Sequence, residues 1–328
     1  MDVHVVWEEG GRVFHRFSRD GLWSAQRPVA TGEQPAIVVD DGGVAHLIFV
    51  NEFGGNFEIY YCRWNGTSWS LPRNVSNTSG VSSAPALALG QTGALHVVWA
   101  DNTPGFSVIY HARWDGVYWI NEPIPNATGG APAIAVEVDD SLHIAWQDRD
   151  GPSSPYDIYH CQSSAAGWSL PENLSDSSEE PSLIPSIVAD ARRICHVAWQ
   201  ERANGRYAIQ CARGTTGAWS APEVVSDGES DANLPCIAVN QSSAVYLGWE
   251  ESSRLLYRQK AQGGDLWSAA AIVASDTAGV SDLQLAPDNA GRLHAVWTQR
   301  LSPGNWDVFY ADLSYRQVLP FIIRNLLR

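Results

Sequence analysis

A chain of 328 residues with 21 Lys and Arg against 36 Asp and Glu, a formal charge of −15, can bury a sizeable core and suits neither a phosphate backbone nor an anionic lipid surface. Only 17% of the residues are charged and 15 are Trp, a composition that excludes general disorder. No apolar run approaches the roughly 20 residues of a membrane-spanning helix, so neither nucleic acid nor membrane insertion is expected.

The chain enters on a strand, Val3 to Trp7, with no basic head or apolar stretch before it that would make a signal peptide. A cytoplasmic protein, or a mature or trimmed form, is expected from this. One phrase then recurs: an apolar strand opened by Pro, a turn, a strand like Leu95-His96-Val97-Val98-Trp99, an irregular loop, a third strand, a tight turn, and a fourth strand opened by Trp. The aromatic that closes the second strand falls at Trp7, Phe49, Trp99, Trp146, Trp199, Trp249 and Trp297, spaced by 42, 50, 47, 53, 50 and 48 residues. The opening Pro falls at Pro35, Pro85, Pro132, Pro185 and Pro235, with Leu283 in the last copy. Four short strands in about 50 residues, repeated seven times, predict an all-β, seven-bladed β-propeller. We expect one domain over 1–328, with repeats at approximately 2–34, 35–84, 85–131, 132–184, 185–234, 235–282 and 283–328.

Lettering the strands A to D outward, the chain starts on a B strand, so the first blade should lack its inner strand. Gln317-Val318-Leu319-Pro320 aligns with Trp69-Ser70-Leu71-Pro72 and predicts the outer strand of blade seven. Only about three residues follow strand C there, a reach on the order of 10 Å. That is too short to cross a blade whose strands lie about 4.8 Å apart and enter the next. We expect truncation of the first blade rather than a natural gap. The C–D turns pair a Gly with a Trp, as Gly21 with Trp23, Gly66 with Trp69, Gly116 with Trp119 and Gly217 with Trp219. Gly supplies the positive-φ corner and Trp a large buried area.

These repeats resemble the sialidase-like, bacterial-neuraminidase-repeat propellers. The resemblance rests on Pro132-Ala133-Ile134-Ala135-Val136, Leu142 to Asp148, Asp157-Ile158-Tyr159-His160 and Gly167-Trp168-Ser169 with Pro171. It covers essentially the whole chain and implies the fold. The family's turn motif would place an Asp two residues before the Gly, where this chain has Trp64 and Trp114. The Arg-Ile-Pro of catalytic members is absent, and no Tyr–Glu nucleophile pair can be assigned, which implies a non-catalytic relative. The double glycines of kelch blades and the Trp-Asp dipeptide of another propeller family fit worse.

A His recurs in strand B at His4, His46, His96, His143, His196 and His294. Equivalent positions on different blades sit too far apart to converge on one ion, so rings bonded to neighbouring strands are expected, with no metal and no cofactor. Two residues after the strand-B aromatic comes Glu9, Asp101, Asp148, Glu201, Glu251 or Gln299, and Glu58, Asp157 and Asp307 open strand C. A carboxylate row of this kind suits cations or acid–base chemistry. A feature that follows the repeat fits loop-shaping better. Before strand C, loops rich in Gly, Pro, Ser and Asn carry Phe57, Phe106, Tyr156 and Trp306, which are platforms for a sugar ring or a protein partner if exposed. Arginines share these loops, among them Arg149, Arg202 and Arg300, in a chain whose single Lys is Lys260. Arg makes the bidentate bonds that recognise carboxylates.

Of five cysteines, Cys195 and Cys211 would face each other if their hairpin closed symmetrically about Ala203, but the odd count favours buried thiols. Sequons at Asn65, Asn74, Asn77, Asn126, Asn173 and Asn240 follow the repeat. The apolar tail Val318 to Arg324 is similar to the endings of some bacterial surface proteins and points to an extracellular or cell-surface site, a cytoplasmic one being the alternative. A monomeric, non-catalytic binding propeller is expected, recognising a glycan or a protein through Phe57, Phe106, Tyr156, Trp306, Arg149, Arg202, Arg300, Asp148 and Glu201, with no catalytic residue assigned. The alternatives are a sialidase-like glycoside hydrolase acting on an anionic sugar and a protein-interaction scaffold.

Overall fold

A computed structural model describes residues 2–177, 180–302 and 305–314 and the backbone of Phe321–Ile322. Among these residues there is no helix. The chain is all-β and folds as a seven-bladed β-propeller, with one antiparallel sheet per repeat. Two compact units emerge, Met1–Asp148 with Cys161–Pro171, and Arg149–His160 with Glu172–Arg328.

In the first unit, blade one has strand B at Val3–Glu9, strand C at Arg12–Arg19 and two outer segments, Leu22–Trp23 and Arg27–Thr31, both paired with strand C. Among the described residues Val3–Glu9 pairs on one side only, with Arg12–Arg19, and none of them forms an inner strand in this blade. Blade two is complete (Glu33–Val39, Ala45–Phe53, Asn56–Trp64, Arg73–Asn74), as is blade three (Ser82–Leu89, Leu95–Asp101, Val108–Trp114, Trp119–Thr128). Strand B of blade three is buried along its whole length. Both pleat faces of the strand meet protein, which is why its sequence does not alternate with polar residues.

In the second unit, blade five runs Ser182–Ala189, Cys195–Ala203, Arg206–Thr215 and the outer pieces Ala218–Trp219 and Glu223–Val224. Blade six is Ala232–Val239, Val245–Glu251, Arg254–Lys260 and Ala271–Ser275, and blade seven is Val280–Pro287, Leu293–Ser302 and Asn305–Asp312. Blade seven's outer strand is Phe321–Ile322, with Tyr310 opposite Phe321, whereas the predicted Gln317–Pro320 segment lies outside the described residues.

The outer-strand tryptophans lock one blade to the one before it. Trp69 donates from Nε1 to His15 Nδ1 at 3.3 Å, and Trp119 packs edge-on to Tyr61 with ring centroids 5.3 Å apart. Trp168 meets His111 edge-on at 5.5 Å. In the second unit Trp219 meets His160 at 4.8 Å and donates to Glu172 Oε2 at 3.1 Å. Trp69 and Trp219 thus bury a large ring and still satisfy a polar group across the seam, while Trp119 and Trp168 contribute ring contacts.

The strand-B histidines bridge to strand C and to the A–B turn. His46 Nδ1 and His294 Nδ1 each lie 2.8 Å from a tyrosine hydroxyl, of Tyr61 and Tyr310, and His96 lies 3.0 Å from His111. On its other nitrogen, His46 meets Asp40 at 3.4 Å and His294 meets Asp288 at 3.3 Å.

The strand-B to strand-C hairpin of blade five closes on a two-residue turn, Asn204-Gly205, at φ 54 and 82, not about Ala203. Positive φ at both turn residues matches the strand twist of a tight hairpin. Cys195 is therefore opposite Gly214, and Cys211 is opposite Ala198, which removes the predicted juxtaposition. All five cysteines are buried thiols.

A feature absent from the sequence reading is a bulge in every described strand A. Gln34, Ala84, Ala131, Ile184, Leu234 and Asp282 all have φ between 48 and 58, and the register with strand B shifts there. In the first five copies the next residue is the recurring Pro. Left-handed backbone is costly for residues with a Cβ, above all for Ile184, so the surrounding sheet must hold it.

Candidate functional site

Strands that alternate in direction put the B–C loops and D–A connections at one end of a blade and the A–B and C–D turns at the other. The predicted site residues all belong to the first end.

The recurring carboxylates there are engaged inside the protein. Asp101 accepts bonds from Trp99 Nε1 at 3.2 Å, from Thr78 Oγ1 and Ser82 Oγ at 2.8 Å each, and from the Thr103 N–H at 2.8 Å. Burial alone would raise its pKa, but the bonds from Thr103, Ser82 and Thr78 outweigh it and hold the carboxyl below its ordinary value. Glu201 repeats the pattern, accepting from Trp199 Nε1 at 3.1 Å and Ser182 Oγ at 3.2 Å. Asp148 accepts from Thr128 Oγ1. The acids that open strand C act likewise: Glu58 accepts from Asn56, Ser76 and the Thr78 N–H, and Asp157 from Ser175 and the Ser177 N–H. These two rows pin the D–A connections to the ends of strands B and C.

The aromatics are more open. In the first unit Phe57 is 37% and Phe106 59% exposed, each on its own B–C loop. In the second, Trp306 is 40% exposed and its ring edge lies over Gly279, 3.3 Å from where a Cβ would stand there. Tyr156 is half-buried, with the Arg149 guanidinium 5.2 Å above its ring centre. Each predicted arginine bonds close to home. Arg149 donates to the Pro152 carbonyl at 3.2 Å and Arg300 to that of Ser302 at 3.3 Å, while Arg202 meets Glu180 at 3.9 Å. Arg300 is also the cross-strand partner of Trp306.

Two acids here lie outside the recurring rows, and the sequence reading passed over both. One residue after the strand-B aromatic, the copies read Glu8, Val50, Ala100, Gln147, Gln200, Glu250 and Thr298. The strand-A bulge reads Gln, Ala, Ala, Ile, Leu and then Asp282. In the second unit both stand at the seam of blades six and seven, where Glu250 bonds to the neighbour of Asp282. Glu250 Oε2 accepts from Ser281 Oγ at 3.0 Å, and Asp282 Oδ2 accepts from Thr298 Oγ1 at 2.9 Å. Burial first, and then the Asp282 charge, raise the Glu250 carboxyl above its ordinary value. On the opposite pleat face Glu251 is fully buried, and burial followed by its bond to Asp227 raises it too, while Asp227 is lowered. Writing the copies under one another and looking for the residue that breaks a column would have found Asp282, whereas Glu250 shares its column with Glu8.

No protein-family model matches the chain, and no curated protein matches it. Solved structures do. A protein of unknown function from Dyadobacter fermentans aligns with a TM-score of 0.64 at 13% identity, over 93% of this chain and 96% of that one. An ulvan lyase, a polysaccharide lyase bound to -[GlcA(1-4)Rha3S]-, aligns with a TM-score of 0.67 at 12% identity, over 98% and 93%. The α-L-arabinofuranosidase of Fusarium graminearum, with arabinobiose, aligns with a TM-score of 0.60 at 12% identity, over 85% and 92%. At such identities the likeness is one of fold.

Proposed function

We propose that the chain binds an oligosaccharide over the ends of the blades that carry the B–C loops. The observation that carries this reading is that aromatic rings are held partly open on individual B–C loops, Phe57 and Phe106 in the first unit and Trp306 in the second. A rigid flat ring loses little conformational entropy on binding and stacks on the C–H face of a sugar. Tyr156 beneath Arg149 adds a ring with a cation fixed over it, which favours a sugar bearing a carboxylate or sulfate. The recurring carboxylates, Asp148 and Glu201 among them, hold the loops in place. Solved structures with this fold include proteins that act on polysaccharides, which supports the ligand class and leaves the sugar open. The test is the double variant Phe106→Ala and Trp306→Ala, assayed by calorimetry against the best ligand of an array screen. A loss of roughly tenfold or more in affinity with an unchanged melting temperature is expected. Wild-type affinity in the double variant contradicts this choice of face.

A second reading rests on Glu250 and Asp282. A carboxyl raised by burial beside an ionised carboxylate is the arrangement that separates a general acid from a general base. Glu250 would give its proton to the leaving glycosidic oxygen as the C–O bond breaks, while Asp282 takes one from the water that attacks the anomeric carbon. In this reading Glu250→Gln binds the sugar and no longer releases reducing ends. A wild-type protein that releases none from a bound oligosaccharide removes the reading.

A further inference from the structure

The second unit carries a cavity at the opposite end of the blades, among the A–B and C–D turns of blades five and six. It encloses about 290 Å³, near the lower limit for small-molecule sites. Four of its lining residues bear formal charge, and three of those are cations: Arg192, Arg213 and Lys260 against Asp190. In a chain of formal charge −15 with one lysine, this is a local concentration of cations.

The cavity is built, not a chance dent between side chains. Lys260, the single lysine of the chain, is 4% exposed; its ammonium meets Glu223 and lies 4.9 Å from the centre of the Trp267 ring. It stands opposite Val245, where Trp64 stands opposite Ala45 in blade two, so a cation replaces the ring of another blade. Arg213 is anchored at 3.3 Å to the Gly264 carbonyl and at 3.0 Å to the exposed Asp265. The Arg192 guanidinium lies 3.2 Å from where a Cβ on Gly263 would be, so the absence of a side chain leaves it room. Asp190 is held by one oxygen, its Oδ1 accepting the backbone N–H groups of Arg192 at 2.8 Å and Ile194 at 3.0 Å, while its Oδ2 faces His196.

Two polar atoms in the lining have no hydrogen-bond partner, although their residues are only 5% and 3% exposed: His196 Nε2 and Ser243 Oγ. His196 Nε2 lies 3.7 Å from Asp190 Oδ2, beyond bonding distance. Buried polar groups are nearly always satisfied, and orphans of this kind mark where a water or a ligand belongs. A hydroxyl and an imidazole nitrogen can each donate to an oxygen, and the three cations set the sign of the group that carries it.

We propose that this cavity binds a small organic anion through its carboxylate or sulfate, held by Arg192, Arg213 and Lys260 and by hydrogen bonds from His196 Nε2 and Ser243 Oγ. Within the second unit the site lies at the end of the blades away from the B–C loop that carries Trp306, and it stands independently of the oligosaccharide reading.

Calorimetry on the full chain with sodium glucuronate, sodium sulfate and glucose as probes tests it. Glucuronate binds and glucose does not; Arg192→Ala, an exposed residue whose loss leaves the melting temperature in place, weakens glucuronate roughly tenfold. Arg213→Gln does the same, and glucuronate moves the His196 ring signals in the NMR spectrum. Sulfate binding at the same site with glucuronate silent assigns a free inorganic oxyanion, and the reverse assigns a sugar acid. No heat with either anion overturns the proposal, and so does binding that Arg192→Ala and Arg213→Gln leave untouched.

Discussion

Trp199 donates its indole N–H to the Glu201 carboxylate two residues further along the same strand, at 3.1 Å. The same bond joins Trp249 to Glu251 at 2.8 Å and Trp99 to Asp101 at 3.2 Å. One side chain fills the seam between blades and the other ties down the D–A connection, so burial and loop position are coupled in these three copies.

Asp101 is the test of that coupling. Asp101→Asn keeps the shape but turns an amide N–H toward the donors Thr78, Ser82 and Thr103, leaving buried groups unpaired. We expect a loss of about 2 kcal/mol in urea unfolding at pH 7. Because the folded pKa is depressed, the stabilisation is present above the unfolded value of about 3.9 and is lost as pH falls through the folded one. The gap between variant and wild type therefore closes under acid, and a constant gap down to pH 2 would show that the charge is not involved.

Glu250 carries the opposite sign. Its folded pKa is raised, so the folded protein holds the proton more tightly and loses stability as pH rises from the unfolded value through the folded one. Glu250→Gln keeps an acceptor for Ser281 and removes the buried charge. Its melting temperature should exceed that of the wild type at pH 7 and equal it at pH 4. A lower melting temperature at pH 7 would mean that the ionised form is favoured where it stands.

Gly129 has φ 104, and a Cβ there would stand 2.2 Å from the Gln147 carbonyl oxygen. Gly129→Ala combines left-handed backbone with a backbone collision and should cost about 3 kcal/mol or more. Gly116, at φ 101 with open space around its Cβ position, is the control, and Gly116→Ala should cost about 1 kcal/mol. Equal losses in denaturant melts would refute the collision.

The buried thiols should be silent. Burial pushes Cys62, Cys161, Cys211 and Cys236 up to about 12, so none offers a thiolate at neutral pH. A thiol reagent should label the native chain hardly at all and the urea-unfolded chain fully, and reducing agent should leave the melting temperature where it is. Rapid labelling of the folded protein would contradict the burial.

The repeat made the architecture readable. Trp99 and its six counterparts, the opening Pro and the Gly–Trp turns each answer to a single packing demand that recurs in every blade. Pairing details were less legible. The Asn204-Gly205 turn overrode symmetry about Ala203, and the strand-A bulge leaves no stronger trace than the Pro after it. The site was the least legible part, because attention to what recurs selects structural residues. Asp148 and Glu201 fasten loops for that reason, while Asp282 and Lys260 each depart from their column. Burial and cross-blade distance, which a linear sequence does not carry, are what give those departures meaning.

The most direct measurement is a glycan-array screen of the purified wild-type chain beside the Phe106→Ala and Trp306→Ala double variant. Oligosaccharide binding over the B–C loops predicts reproducible signal on one class of sugar, strongest where the sugar carries a carboxylate or sulfate, and its loss in the double variant. A blank array for the wild type, or equal signal from both proteins, would contradict it.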